Sequence, residues 1–135
     1  MRIERTYDEA GKMVEEWNYD ADGKLREEWE YAADGRLAAM REYDEDGKLV
    51  EEWNYGADGK LVEVRAYNEA GNLEWERHYD EIGRLAEEWE WEYDAKDRLE
   101  REWKRKYNEA GKLAWAGERV FDEFGGLVKE QEWAD

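Results

Sequence analysis

A Tyr-(Asp/Asn)-x-x-Gly-x-Leu segment, with minor variations, returns about every twelve residues between Tyr7 and Leu127, and a spacing that short and even admits few folds. The clearest copy is Trp17-Asn18-Tyr19-Asp20-Ala21-Asp22-Gly23-Lys24-Leu25, which reads as the corner of a β-hairpin. Asp20 opens a type I turn, Ala21 and Asp22 take its right-handed positions, and Gly23 takes the left-handed one that leads back into a strand through a bulge. This loop pairs Asp20 with Lys24 and Tyr19 with Leu25, so an aromatic and an aliphatic side chain meet across the strands. The same geometry fits the turns at 8–11, 32–35, 44–47, 56–59, 68–71, 80–83, 108–111 and 122–125. The turn at 94–97 lacks glycine, and Asp97 is expected to take the left-handed position, which a short polar side chain tolerates.

Ten turns imply eleven strands, at 2–7, 12–19, 24–31, 36–43, 48–55, 60–67, 72–79, 84–93, 98–107, 112–121 and 126–133. All nine Trp, all nine Tyr and all nine Leu have odd numbers, and every Val has an even one. Side chains alternate along a strand with a period of two, so an even repeat is expected to gather the aromatic rings on one face. A helix would scatter them. The Glu-rich stretch 85–92 has helical propensity, but the alternation and the regular glycines outweigh it.

On this reading Glu27, Arg41, Glu51 and Arg65 form one row on the aromatic face. Arg at the odd positions, with strand Lys mostly at even ones, points to a sheltered odd face, because a guanidinium stacks on rings and forks to carboxylates. Flush turns and strands of nearly equal length leave little stagger between rows, and barrel closure needs substantial shear. The expected fold is therefore all-β: an eleven-stranded antiparallel up-and-down meander, open and twisted, with one concave aromatic face, spanning 1–135 as a single repeat domain. A closed or flattened eleven-stranded barrel is the alternative.

Net charge and composition exclude several partners. With 21 Lys and Arg against 39 Asp and Glu, the chain carries −18, which repels nucleic-acid backbones and anionic membranes. No window approaches the ~20 apolar residues of a membrane-spanning helix, and no targeting signal is read at Met1-Arg2-Ile3, so a cytoplasmic or recombinant setting is expected. Cysteine is absent, which removes disulfides and thiol chemistry; proline is absent too, and charged residues make up 44%. Regularity of this kind reads as an idealised or designed repeat.

At Tyr79-Asp80-Glu81-Ile82-Gly83-Arg84-Leu85 the chain resembles the YD (RHS) repeat, whose core is Tyr-Asp-x-x-Gly-Arg-Leu. Similar cores with Lys for Arg stand at 19–25 and 43–49. The resemblance implies spirals of β-hairpins that enclose or display other protein segments.

Motifs for chemistry are few. Asp20-Ala21-Asp22-Gly23 and Asp44-Glu45-Asp46-Gly47 open like calcium loops, but Lys24 and Lys48 follow where a ligand-bearing loop continues with oxygen donors, so turn chemistry is the stronger reading. Each odd-face Glu has an Arg or Trp neighbour, which suits a salt-bridged ladder better than a glycosidase pair. The lone His78 reads as a surface residue opposite Ala86 and Val62. No phosphate-binding glycine loop is present. The expectation is a structural repeat scaffold, not an enzyme, with neither cofactor nor metal. The alternative is a binding module whose concave face takes a peptide, glycan or quaternary ammonium through Trp29, Trp53, Trp75, Trp89, Arg41, Arg65, Arg77 and Glu51. A homodimer joined through that face is the other way to cover it.

Overall fold

The computed structural model describes residues 1–134. Among them are eleven strands: β1 (Arg2–Tyr7), β2 (Met13–Tyr19), β3 (Leu25–Tyr31), β4 (Leu37–Tyr43), β5 (Leu49–Tyr55), β6 (Leu61–Tyr67), β7 (Leu73–Tyr79), β8 (Leu85–Tyr93), β9 (Leu99–Tyr107), β10 (Leu113–Phe121) and β11 (Leu127–Ala134). They form one sheet in sequence order, with β1 and β11 at its two ends. Among the described residues no hydrogen-bonded pairing of β1 with β11 closes it into a barrel. Residues 1–64 form one compact unit and the described residues from 65 onward a second.

The turns follow from local chemistry. In the turn after β2 the Gly23 amide donates to the Asp20 carbonyl at 3.0 Å, and the Asp20 amide to the Lys24 carbonyl at 2.8 Å. The Asp20 carboxylate accepts from the amides of Asp22 and Lys24 at 2.9 and 3.0 Å, closing the loop from inside. Where Ala32 or Gly56 replaces that first acid, Asp34 or Asp58 two residues later caps the amide of Arg36 or Lys60. Asp97 takes φ 60°, the left-handed conformation expected of it.

The register departs from the even-spacing expectation. Tyr19 opposes Leu25 as anticipated, but the next pair is Asn18 with Glu27, and Trp17 then faces Glu28 instead of Glu27. Arg26 is an extra residue, a β-bulge just after the turn. Shifts at the same place make Ala38, Val50, Ala86, Glu100, Ala114 and Val128 extra residues in their hairpins. One added residue per hairpin reverses which parity faces which side. The odd residues of β3 therefore leave through the opposite face from those of β2.

In the first unit, one face carries the directly opposed row Glu4, Trp17, Glu28, Arg41, Glu52. The other carries Arg5, Glu16, Trp29, Met40, Trp53. Trp29 and Trp53 share a side, but Trp17 does not join them, and the single aromatic face is replaced by rings on both faces. Burial follows this pattern rather than parity: the few buried residues among those described, Ala39, Val64, Ala66, Glu88 and Gly117, include both odd and even numbers. Most interior strand residues are half-buried, as expected of a layer packed chiefly within itself, and β1 and β11 are exposed throughout.

Two predictions follow from the turns. Asp97→Gly is expected to raise unfolding free energy by up to about 1 kcal/mol, because glycine takes a positive φ without steric cost; an unchanged or lower urea midpoint contradicts this. The carboxyls of Asp20, Asp44, Asp80 and Asp94 are held below their usual value, first by the amide four residues on and then by the amide two residues on. Their stabilisation is complete above the unfolded-state value and disappears as pH falls through the depressed folded values. Urea midpoints should therefore drop as pH falls below about 5, and a flat profile would show that the caps do not contribute.

Candidate functional site

In the first unit Arg41 sits among three carboxylates. Its Nε donates to Glu52 Oε2 and its Nη1 to Glu30 Oε1, both at 2.8 Å, with Glu28 Oε1 3.5 Å from Nη1. Glu28 and Glu52 oppose Arg41 directly from β3 and β5. The Tyr43 hydroxyl donates to Glu28 Oε2 at 2.9 Å. Burial, followed by that carboxylate, pushes the Tyr43 phenol up to about 12. Hydrogen bonding to Glu30 raises the Arg41 guanidinium against the opposing effect of burial.

The second unit repeats the arrangement around Glu88. Its carboxylate accepts from Arg77 Nε at 2.9 Å, Arg105 Nη1 at 3.3 Å and the Tyr107 hydroxyl at 3.1 Å. Burial pushes the Glu88 carboxyl up, but the bonds from Arg77 and Tyr107 and the two guanidinium charges outweigh it, leaving it below the usual range. Both clusters use an Arg-x-Tyr step facing a directly opposed Glu: Arg41 and Tyr43 with Glu28, Arg105 and Tyr107 with Glu88.

These clusters hold strands together, whereas a more open site lies on the other face of the second unit. There three directly opposed rows run side by side. One is Glu76, Trp89, Lys104, Gly117, Glu132; its neighbours are Trp91, Glu102, Arg119, Glu130 and His78, Glu87, Lys106, Trp115. Gly117 leaves a gap in the middle row and the Trp115 indole folds across it: a Cβ on Gly117 would stand 2.5 Å from the Trp115 ring. The Lys104 ammonium lies 4.6 Å from the Trp89 ring centroid and that of Lys106 5.3 Å from Trp115. His78 packs edge-on against Trp89 at 4.8 Å, with its Nε2 2.6 Å from Glu76 Oε1. The result is a groove of about 270 Å³ lined by Trp89, Lys104, Trp115, Gly117, Glu130 and Glu132, among others.

The residues expected to form one concave site are divided between faces. In the first unit Trp29, Trp53 and Glu51 project from one side and Arg41 from the other. Glu51 opposes Glu42, so the expected row of Glu27, Arg41, Glu51 and Arg65 does not form. In the second unit Trp75 and Arg77 share a side, with the Arg77 guanidinium 4.1 Å from the Trp75 ring centroid. Trp89 projects from the opposite side, where Arg65 approaches Glu76 at 3.6 Å. His78 opposes Glu87 rather than Ala86, again because of the bulge. Sequence reasoning missed Trp115, Gly117, Lys104 and Lys106 as a group. The signal available for them was a glycine inside a strand two residues after a Trp, which marks close approach of a side chain to backbone.

Arg41→Met is expected to cost about 2 kcal/mol, since it strands half-buried carboxylates that had charge-assisted partners. Chemical denaturation checks it, and a loss below about 0.5 kcal/mol would contradict the cluster. The Tyr43 phenol should ionise only near pH 12, which ultraviolet titration of Tyr43→Phe against the parent chain isolates.

A family profile described as Teneurin YD-shell matches residues 1–133. No curated protein matches the sequence. Solved structures similar to this chain include accessory secretory protein 1, 2 and 3 in Streptococcus pneumoniae, at 10% identity over 77% of this chain and 18% of that one, TM-score 0.49. TarM matches at 17% identity over 64% of this chain and 17% of its own, TM-score 0.45. A porin-like protein from Bacteroides uniformis matches at 15% identity over 98% of this chain and 55% of its own, TM-score 0.41. In each case the chain spans less than two thirds of the matched structure's length, and likenesses of this size do not bear on function.

Proposed function

The chain belongs to the teneurin YD-shell family, and on that premise we propose that it is a structural repeat scaffold with no catalytic role, a stretch of β-wall that displays or encloses other protein segments. The observation that carries this reading is a set of bonds between turns. Lys12 Nζ donates to the Ala33 carbonyl at 3.3 Å, Lys24 Nζ to Glu45 at 2.8 Å and Arg36 Nη1 to Ala57 at 2.8 Å. In the second unit Arg84 reaches the Glu109 carbonyl and Arg98 the Glu123 carbonyl. Each of these five basic residues stands just past the left-handed residue of its turn and ties that turn to the next one along the same sheet edge. The repeating cation is spent on neighbouring hairpins, as in a wall whose task is to hold its own spacing. The regularity of the repeat supports an idealised sequence, and the charge of −18 supports partners other than nucleic acids or anionic membranes.

Replacing Lys12, Lys24 and Arg36 together with Gln tests the scaffold reading. Each exposed tie is worth roughly 0.2–1 kcal/mol, so the triple variant should lose about 1–2 kcal/mol and unfold at lower urea. An unchanged midpoint would remove the observation on which the reading rests.

A second reading, a binding module, is favoured by the Trp89–Trp115 groove. Rings beside mixed charges suit a peptide, a glycan or a quaternary ammonium. Titration with a panel of all three, followed at the indole NH signals of Trp89 and Trp115, should show saturation with one class. A silent panel ends this reading and leaves the scaffold intact.

A further inference from the structure

Resting on the binding-module reading, we propose that the groove across β8 to β11 takes a quaternary ammonium group, seated against the Trp89 and Trp115 rings. Two amines of the chain already use these rings in that way, Lys104 on Trp89 at 4.6 Å and Lys106 near Trp115 at 5.3 Å. An indole face attracts cations through its quadrupole, most strongly where water is partly excluded. The groove is therefore a cation site with a tethered occupant.

The surrounding charges favour a cation over other ligands. Glu87, Glu102, Glu130 and Glu132 project from the same face as the rings, against Lys104, Lys106 and Arg119. Glu132 lies across Gly117 from Lys104, and Glu102 stands in the neighbouring row, so carboxylates flank the lysine when it leaves Trp89. A quaternary ammonium has no N–H to satisfy and sheds water more readily than a primary amine. It can replace Lys104 on the ring without leaving an unpaired donor. A neutral sugar would have to dislodge the lysine without replacing its charge, and an anion would meet a chain of net charge −18. Gly117 supplies the depth. Only hydrogen there leaves room for the Trp115 indole, whose nearest ring atom would stand 2.5 Å from a Cβ, and about 270 Å³ suits a small head group better than a drug-sized ligand.

The experiment titrates the full chain with tetramethylammonium chloride against sodium chloride at equal ionic strength, reading all the indole NH signals by NMR. Saturable shifts confined to Trp89 and Trp115, with a dissociation constant in roughly the millimolar range, are expected. Lys104→Gln removes the internal competitor and should tighten binding by about threefold or more. Gly117→Ala pushes the Trp115 ring off the strand and should weaken binding on the order of fivefold. Circular dichroism checks its fold, and Trp89→Leu serves as the second lesion with the same expected loss. Shifts spread over all the indoles, or affinity unchanged or lowered by Lys104→Gln, would overturn the proposal. Saturation by a neutral oligosaccharide or peptide without a response to tetramethylammonium would overturn it while the binding-module reading stands. Silence from every probe would remove both.

Discussion

One extra residue just after the turn, present in the hairpins from β1 to β5 and again from β7 to β11, governs this sheet. Without it an even repeat would place every Trp on a single side, leaving one greasy face and one highly charged face on a layer that has little else to pack against. The bulge reverses the side at each strand, so the row through Trp29 and Trp53 is backed on the other face by the row through Trp17 and Arg41. Rings and charges are interleaved on both faces, and neither collects an unbroken apolar surface of the kind that drives association. Each bulge also adds local twist, as an extra residue on one strand of a pair does.

That interleaving makes the dense charge tolerable. A chain with 39 acids against 21 bases must neutralise carboxylates wherever they crowd, and it does so with single arginines placed between them. Arg41 serves Glu28, Glu30 and Glu52; Glu88, buried at 9% exposure, draws on Arg77 and Arg105 together. A guanidinium can serve two or three carboxylates because its donors fan out in a plane, and both clusters accordingly use arginine and not the compact lysine ammonium. The tyrosine two residues beyond the arginine adds a neutral donor to the same carboxylate, which supports the charged form without adding charge of its own.

Much of this was legible in the sequence. The turn residues named their own conformations, down to the left-handed Asp97, and the pairing of Tyr with Leu beside each turn held in Tyr19–Leu25 and Tyr79–Leu85. The open meander followed from flush turns. The register beyond the first pair was not read, because a bulge changes the count without changing the alternating pattern within a strand. Its trace was present all the same: the residue after each Leu is repeatedly Val or Ala, as at Ala38, Val50, Ala86, Ala114 and Val128, and these are the extra residues. The even numbers of Val50 and Val128 thus reflect their place as bulge residues. Of the expected site residues Trp89 lies in the groove, but its companions come from Trp115, Gly117 and two lysines, which only the shifted register brings together.

The most direct test of the central claim is a nuclear Overhauser measurement on the backbone of β2 and β3. The bulged register places Trp29 opposite Glu16, and cross-strand proton contacts should join those two residues. Contacts joining Trp29 to Glu15 instead would mean that the hairpin has no extra residue, that the rings share one face after all, and that the arrangement of charges described above does not exist.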